Sequence, residues 1–116
     1  MGFGFEQFRS IGKDELAPGQ VLLDVRGDDE WAAGHIDGAV HVPLDRLVNR
    51  MLYEPGELIS EQPLVVLCKS GGRAGQAATW LNRNGFDAVL LEGSMRGWEA
   101  AGHPMVSETG DTPAVL

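Results

Sequence analysis

The run Leu64-Val-Val-Leu-Cys68-Lys-Ser-Gly-Gly-Arg73-Ala-Gly-Gln-Ala-Ala-Thr-Trp-Leu81 joins an apolar strand to a helix through a short glycine-containing turn, and it holds the only cysteine of the 116-residue chain. A short apolar run bounded by a turn reads as a strand buried on both faces. Backbone N–H groups of Lys69 to Arg73 can converge on one point in such a turn, and the positive end of the helix that follows faces the same point. A thiol in that field ionises more easily, so Cys68 is the candidate nucleophile. The same orphan N–H groups suit a bound anion or a second, negatively charged sulfur on the cysteine.

On either side of this run the elements alternate in type, and their strands are nearly continuous apolar runs, the mark of a parallel sheet covered on both faces. Expected strands are Phe8 to Ile11, Val21 to Val25, Ala39 to Val42, Leu64 to Leu67 and Ala88 to Leu91. Expected helices are a short one from Lys13 to Ala17, one capped by Asp28 or Asp29 and stopped by Gly34, then Leu44 to Tyr53, Gly72 to Asn84 and Ser94 to Ala101. In the third of these, Leu44, Leu47, Val48, Met51 and Leu52 fall at helical spacing and predict a core-facing stripe. The pattern predicts one domain over residues 1–106. The polar, breaker-rich stretch 107–116 is expected to be a flexible tail.

Nine basic against seventeen acidic residues give a formal charge of −8, which repels nucleic acid and anionic membrane surfaces. An anionic substrate therefore needs a local positive patch, and Lys69 and Arg73 supply two cations in one turn. A lone cysteine forms no internal disulfide and rules out a zinc site built on several thiolates. His35, His41 and His103 show no metal-ligand spacing, so neither a metal nor a cofactor is expected. Met1 to Gln7 lacks the basic and apolar segments of a secretory signal, and no apolar run approaches the roughly 18 residues that span a bilayer. A cytoplasmic protein is the expectation.

Three blocks resemble the rhodanese family of sulfurtransferases. The first is Leu23-Asp-Val-Arg26 with Glu30-Trp31, Gly34-His-Ile-Asp-Gly-Ala39 and Pro43; the second is Cys68-Lys-Ser-Gly-Gly-Arg73; the third is Gly93-Ser-Met-Arg-Gly-Trp98 with Gly102-His-Pro104. The resemblance implies a single-domain, three-layer α/β/α fold around a five-stranded parallel sheet. It also implies a double displacement, in which Cys68 takes the outer sulfur of a donor such as thiosulfate and passes it to a thiophilic acceptor, whether cyanide, a thiol or a thiol-carrying partner protein. Arg73 matches the family's substrate-binding arginine, and Arg26 with Glu30 matches a structural ion pair.

The loop residues then divide the work. Cys68 is the nucleophile, and Lys69, Ser70, Gly71, Gly72 and Arg73 are the substrate-binding set. Gly71 and Gly72 let the backbone take positive φ and approach the sulfur closely. Ser70 can serve the sulfur or only the turn. Position 74 is Ala, where many relatives carry a hydroxyl. The dual-specificity phosphatases, similar in fold, place five residues between cysteine and arginine, whereas four stand here and Ala74 occupies the arginine position. A non-catalytic binding module is the other alternative; the intact Cys68 loop speaks against it. Trp31, Trp80 and Trp98 are expected in the core, and His35 is expected to anchor a turn.

Overall fold

The structure, a computed structural model that describes residues 9–116, is an α/β fold built on a five-stranded sheet. Its strands are β1 (Ser10–Ile11), β2 (Leu22–Asp24), β3 (Val40–His41), β4 (Leu64–Leu67) and β5 (Ala88–Leu91). Its α-helices are α1 (Asp28–Ala33), α2 (Leu47–Tyr53), α3 (Gly72–Arg83) and α4 (Ser94–Ala100). The strand order is β1-β5-β4-β2-β3, and every pairing is parallel. After β2 the chain moves outward to β3, whereas after β4 it moves the other way to β5. The crevice above the carboxyl ends of β2 and β4 is thus a topological switch point, where open parallel sheets bind ligands. Cys68 follows β4 directly and lies at that point.

Side chains of a strand alternate between its faces, so a strand covered on both sides is apolar throughout. In β4 all four residues are buried: Leu64 and Val66 pack with Leu47, Met51, Ala77 and Leu81 from α2 and α3, while Val65 and Leu67 pack with Val89, Met95 and Trp98. Cys68 continues the alternation and returns to the α3 side, beside Ala74. Small residues at Ala74, Ala77 and Ala78, none of them exposed, let α3 lie close on the sheet. The backbone of Cys68 is therefore set by the packed centre of the molecule rather than by a mobile loop.

Several local expectations change. The segment from Leu44 opens as a 3-10 turn, Leu44–Arg46, before α2 begins. A 3-10 turn advances about 120° per residue against about 100° in an α-helix, so the 3.6-residue stripe loses phase across the junction. Leu47 and Met51 are buried, but Val48 and Leu52 are 42% and 59% exposed. Lys13–Glu15 and Gly56–Leu58 are likewise 3-10 turns, the latter not foreseen. Gly27, not Asp28 or Asp29, is the N-cap of α1, and its N–H donates to Glu30 Oε1 at 3.1 Å. Phe8 and the stretch Met1 to Gln7 lie outside the described residues.

Residues 107–116, expected as a flexible tail, carry no helix or strand but are bonded to the domain. Glu108 N–H donates to Ala32 O at 2.8 Å, Ala114 N–H to Ala33 O at 2.9 Å and Val115 N–H to Glu99 Oε2 at 3.2 Å. Val115 packs against the cluster around Trp98. A polar, breaker-rich composition does not carry that backbone amides can satisfy themselves on the end of a neighbouring helix.

The turn from β5 into α4 lies beside Cys68, whose N–H donates to Ser94 Oγ at 3.2 Å. Gly93 has φ +74°, and a Cβ there meets Gly97 Cα at 2.9 Å. Gly93→Ala adds both a left-handed alanine and a backbone clash, together about 2–4 kcal/mol of lost stability, read as a shifted urea midpoint.

Candidate functional site

The loop closes on the cysteine sulfur. Gly71 N–H donates to Cys68 Sγ at 3.0 Å, and Gly71 takes φ +119° as the N-cap of α3. That conformation disfavours any side chain. Gly72 is the first helical residue, without positive φ, so only Gly71 needs glycine for the backbone. An added Cβ meets nothing within 4 Å at either position, so the reason is conformation and not close approach. The first-turn N–H groups of Gly72, Arg73 and Ala74 precede the first intrahelical bond, Gly75 N–H to Gly71 O at 2.8 Å, and find no acceptor among the described residues. Such donors at a helix start favour an anion.

The carbonyl side of the loop is held by α4. Met95 and Arg96 N–H donate to Cys68 O and Lys69 O, each at 3.0 Å, and Cys68 N–H donates to Ser94 Oγ at 3.2 Å. Ser94 is buried and sits at φ +50°, an uncommon conformation for a non-glycine residue. Its hydroxyl was not among the expected site groups. The signal for it is the placement of Gly93-Ser94 just after an apolar strand, but only the fold shows that this strand's end lies beside Cys68.

Cys68 itself is 1% exposed, Lys69 is half-buried and Ser70 is exposed. The Ser70 hydroxyl makes no hydrogen bond to another described residue, so neither of its two expected roles is seen. Ala74 is fully buried, and a phosphatase-type arginine has no room there.

The ion pairs are distributed differently from the expected pattern. Arg26 does not pair with the Glu30 carboxylate. Its guanidinium lies on Asp24, with Nη2 to Oδ2 at 2.8 Å and both side chains fully buried, and it also donates to Gly34 O at 2.8 Å. This set ties the end of β2 to the end of α1 and is closed to solvent, so it is structural rather than an acid-base device. Glu30 instead takes Arg73 in a forked pair, Oε1 to Nη1 at 2.6 Å and Oε2 to Nη2 at 2.9 Å. The guanidinium expected to bind the anionic donor is thus engaged by the protein, and it locks the start of α3 to α1. Sequence separation hides this, because the partners are 43 residues apart.

Hydrogen bonds from Arg73 hold the Glu30 carboxyl at about 2, against an ordinary 4.5, with burial working the other way. The folded-state value lies below the unfolded one, so the pair's stabilisation is complete above about pH 4.5 and is lost as pH falls toward 2. Glu30→Gln should flatten the fall in melting temperature over that window and cost roughly 1–3 kcal/mol at neutral pH.

Around the site, His35 and His41 both stack on Trp31, with centroids 3.6 and 4.7 Å away. His35 also bonds Trp31 O through Nδ1 at 2.7 Å and bridges to Val106, which anchors the turn after α1. Trp98 is buried, Trp80 packs on the core, and Trp31 is the exception, half-buried and stacked with the imidazoles. Among the described residues no cluster of His, Cys, Asp and Glu can hold a metal, and no helix is long and apolar enough to cross a membrane.

The parallel sheet with a cysteine loop at its switch point matches known proteins. The chain belongs to the rhodanese-like domain family, whose pattern covers residues 10–101. It is 33% identical over 91 residues to a protein from Allochromatium vinosum named sulfurtransferase, spanning 78% of this chain and 81% of the relative. A tRNA uridine(34) hydroxylase from Xanthomonas euvesicatoria is 34% identical over 94 residues, but the match spans only 36% of that protein. Among solved structures, a rhodanese-related protein from Thermoplasma volcanium superposes with a TM-score of 0.72 at 26% identity, covering 85% of this chain and 98% of the other. A rhodanese-like domain protein from Staphylococcus aureus gives 0.65 at 31% identity, covering 78% and 90%.

Proposed function

We propose that this chain is a sulfurtransferase that carries a sulfane sulfur on Cys68. The observation that carries the reading is the Gly71 N–H aimed at Cys68 Sγ at 3.0 Å, in a loop whose other amides stand at a helix start. Cys68 thiolate attacks the outer sulfur of thiosulfate; the new S–S bond forms as the sulfur–sulfur bond of thiosulfate breaks, and sulfite leaves with the electron pair. The terminal persulfide sulfur, now negative, gains from the loop amides by the same electrostatics that stabilise an oxyanion. An acceptor such as cyanide then attacks that sulfur, leaves as thiocyanate and restores the thiolate.

With Cys68 nearly enclosed, a donor whose reactive sulfur protrudes, as in thiosulfate, is favoured over a bulky one. No second cysteine is present to resolve the persulfide, so sulfur leaves to an external acceptor, a small thiophile or a thiol-carrying protein. A lone reactive thiol suits a reducing compartment, and we place the protein in the cytoplasm.

Lys69 adds charge at the loop, and Arg73 acts first through its hold on Glu30. If Arg73 also touches the donor, Arg73→Ala raises KM for thiosulfate by roughly threefold to tenfold while Glu30→Gln moves it much less. Equal effects of the two variants would reduce Arg73 to a positioning residue. Steady-state thiocyanate production reads both.

A further inference from the structure

A cavity of about 450 Å³ lies beside the loop residue Lys69, lined by Lys69, Arg96, Glu99, Val115 and Leu116. Its two cations come from the loop and from α4, and their backbones are held together, because Arg96 N–H donates to Lys69 O at 3.0 Å. In a chain with a formal charge of −8, neither forms a salt bridge among the described residues, while Arg26, Arg46, Arg50 and Arg73 all do. Glu99 is the one carboxylate side chain in the lining, and its Oε2 accepts the Val115 N–H at 3.2 Å, which turns part of its charge toward the backbone. Val115 and Leu116 add an apolar wall. The volume exceeds what a bare inorganic anion fills and is in the range of small-molecule sites.

With the Arg73 fork on Glu30, Lys69 next to Cys68 and Arg96 bonded to its carbonyl are cations near the loop that form no salt bridge among the described residues. We propose that Lys69 and Arg96 form the subsite for the anionic end of the sulfur-bearing small molecule, with Arg96 deciding the preference for anionic over neutral partners. This rests on Cys68 as the sulfur carrier. The chemical class is a sulfonate or carboxylate attached, directly or through a short apolar stem, to a sulfur that reaches Cys68. An anionic donor and an anionic thiol acceptor share this chemistry, and each would meet Cys68 in turn.

The test is the rate at which iodoacetate, an anion, and iodoacetamide, its neutral counterpart, modify Cys68, followed by intact mass in wild type, Arg96→Gln and Lys69→Gln. Neither side chain is in the core, so both variants should fold, as circular dichroism would verify. The ratio of iodoacetate to iodoacetamide rates should fall roughly threefold to tenfold in each variant, as expected for removing one nearby charge. An unchanged ratio in Arg96→Gln, or a wild-type cysteine that neither reagent reaches, would overturn the subsite. This readout needs no sulfur transfer, so it stands apart from failure of the proposed reaction, which shows as no sulfur gain with thiosulfate. Two further arms separate the sources: slower loading by thiosulfate in Arg96→Gln assigns the site to the donor, and slower discharge to thioglycolate but not to 2-mercaptoethanol assigns it to the acceptor.

Discussion

Arg26→Ala is expected to lower the free energy of unfolding by about 3–5 kcal/mol, a large share of what a small domain has. The cause is not the loss of an attractive pair as such. Removing the guanidinium leaves the Asp24 carboxyl without its counter-ion and main side-chain donor at zero exposure, and it strips Gly34 O of its donor. The double variant Asp24→Leu with Arg26→Met removes the buried charge as well, so it should recover part of the loss. Urea unfolding of the three proteins tests this. A single variant within 1 kcal/mol of wild type would show that the pair is hydrated in solution and does not tie β2 to α1.

Cys68→Ser carries the other large effect, a fall in sulfur transfer of roughly a thousandfold or more, as expected when a nucleophile is removed. Serine keeps the size of the side chain and an acceptor for the Gly71 N–H, so the fold should survive with a stability change of about 1 kcal/mol. That separation gives the experiment its force. Activity lost with the melting curve retained points to chemistry at the sulfur; retained activity would remove the covalent mechanism altogether.

The sequence made the centre of the molecule legible and its cross-links much less so. The strands at Leu64 to Leu67 and Ala88 to Leu91 match the structure residue for residue, because a strand buried on both faces has no polar position to blur its ends. The edge strands β1 and β3 are two residues each, shorter than read, since an edge pairs on one side only. The Cys68 loop was legible as a strand, turn and helix in one uninterrupted run. Its supports were not: Glu30 reaches Arg73 across 43 residues, and Ser94 meets Cys68 across 26. Local spacing carries no information about such partners until the strand order is known. The polar stretch 107–116 illustrates the same limit, since its lack of periodicity is local but its anchoring on α1 is not.

The most direct test of the account is the intact mass of the protein before and after incubation with thiosulfate, and again after cyanide, with Cys68→Ser alongside. A gain of one sulfur atom that requires Cys68 and is lost with cyanide is the predicted result. No gain, or an equal gain in Cys68→Ser, would contradict the carrier role of Cys68.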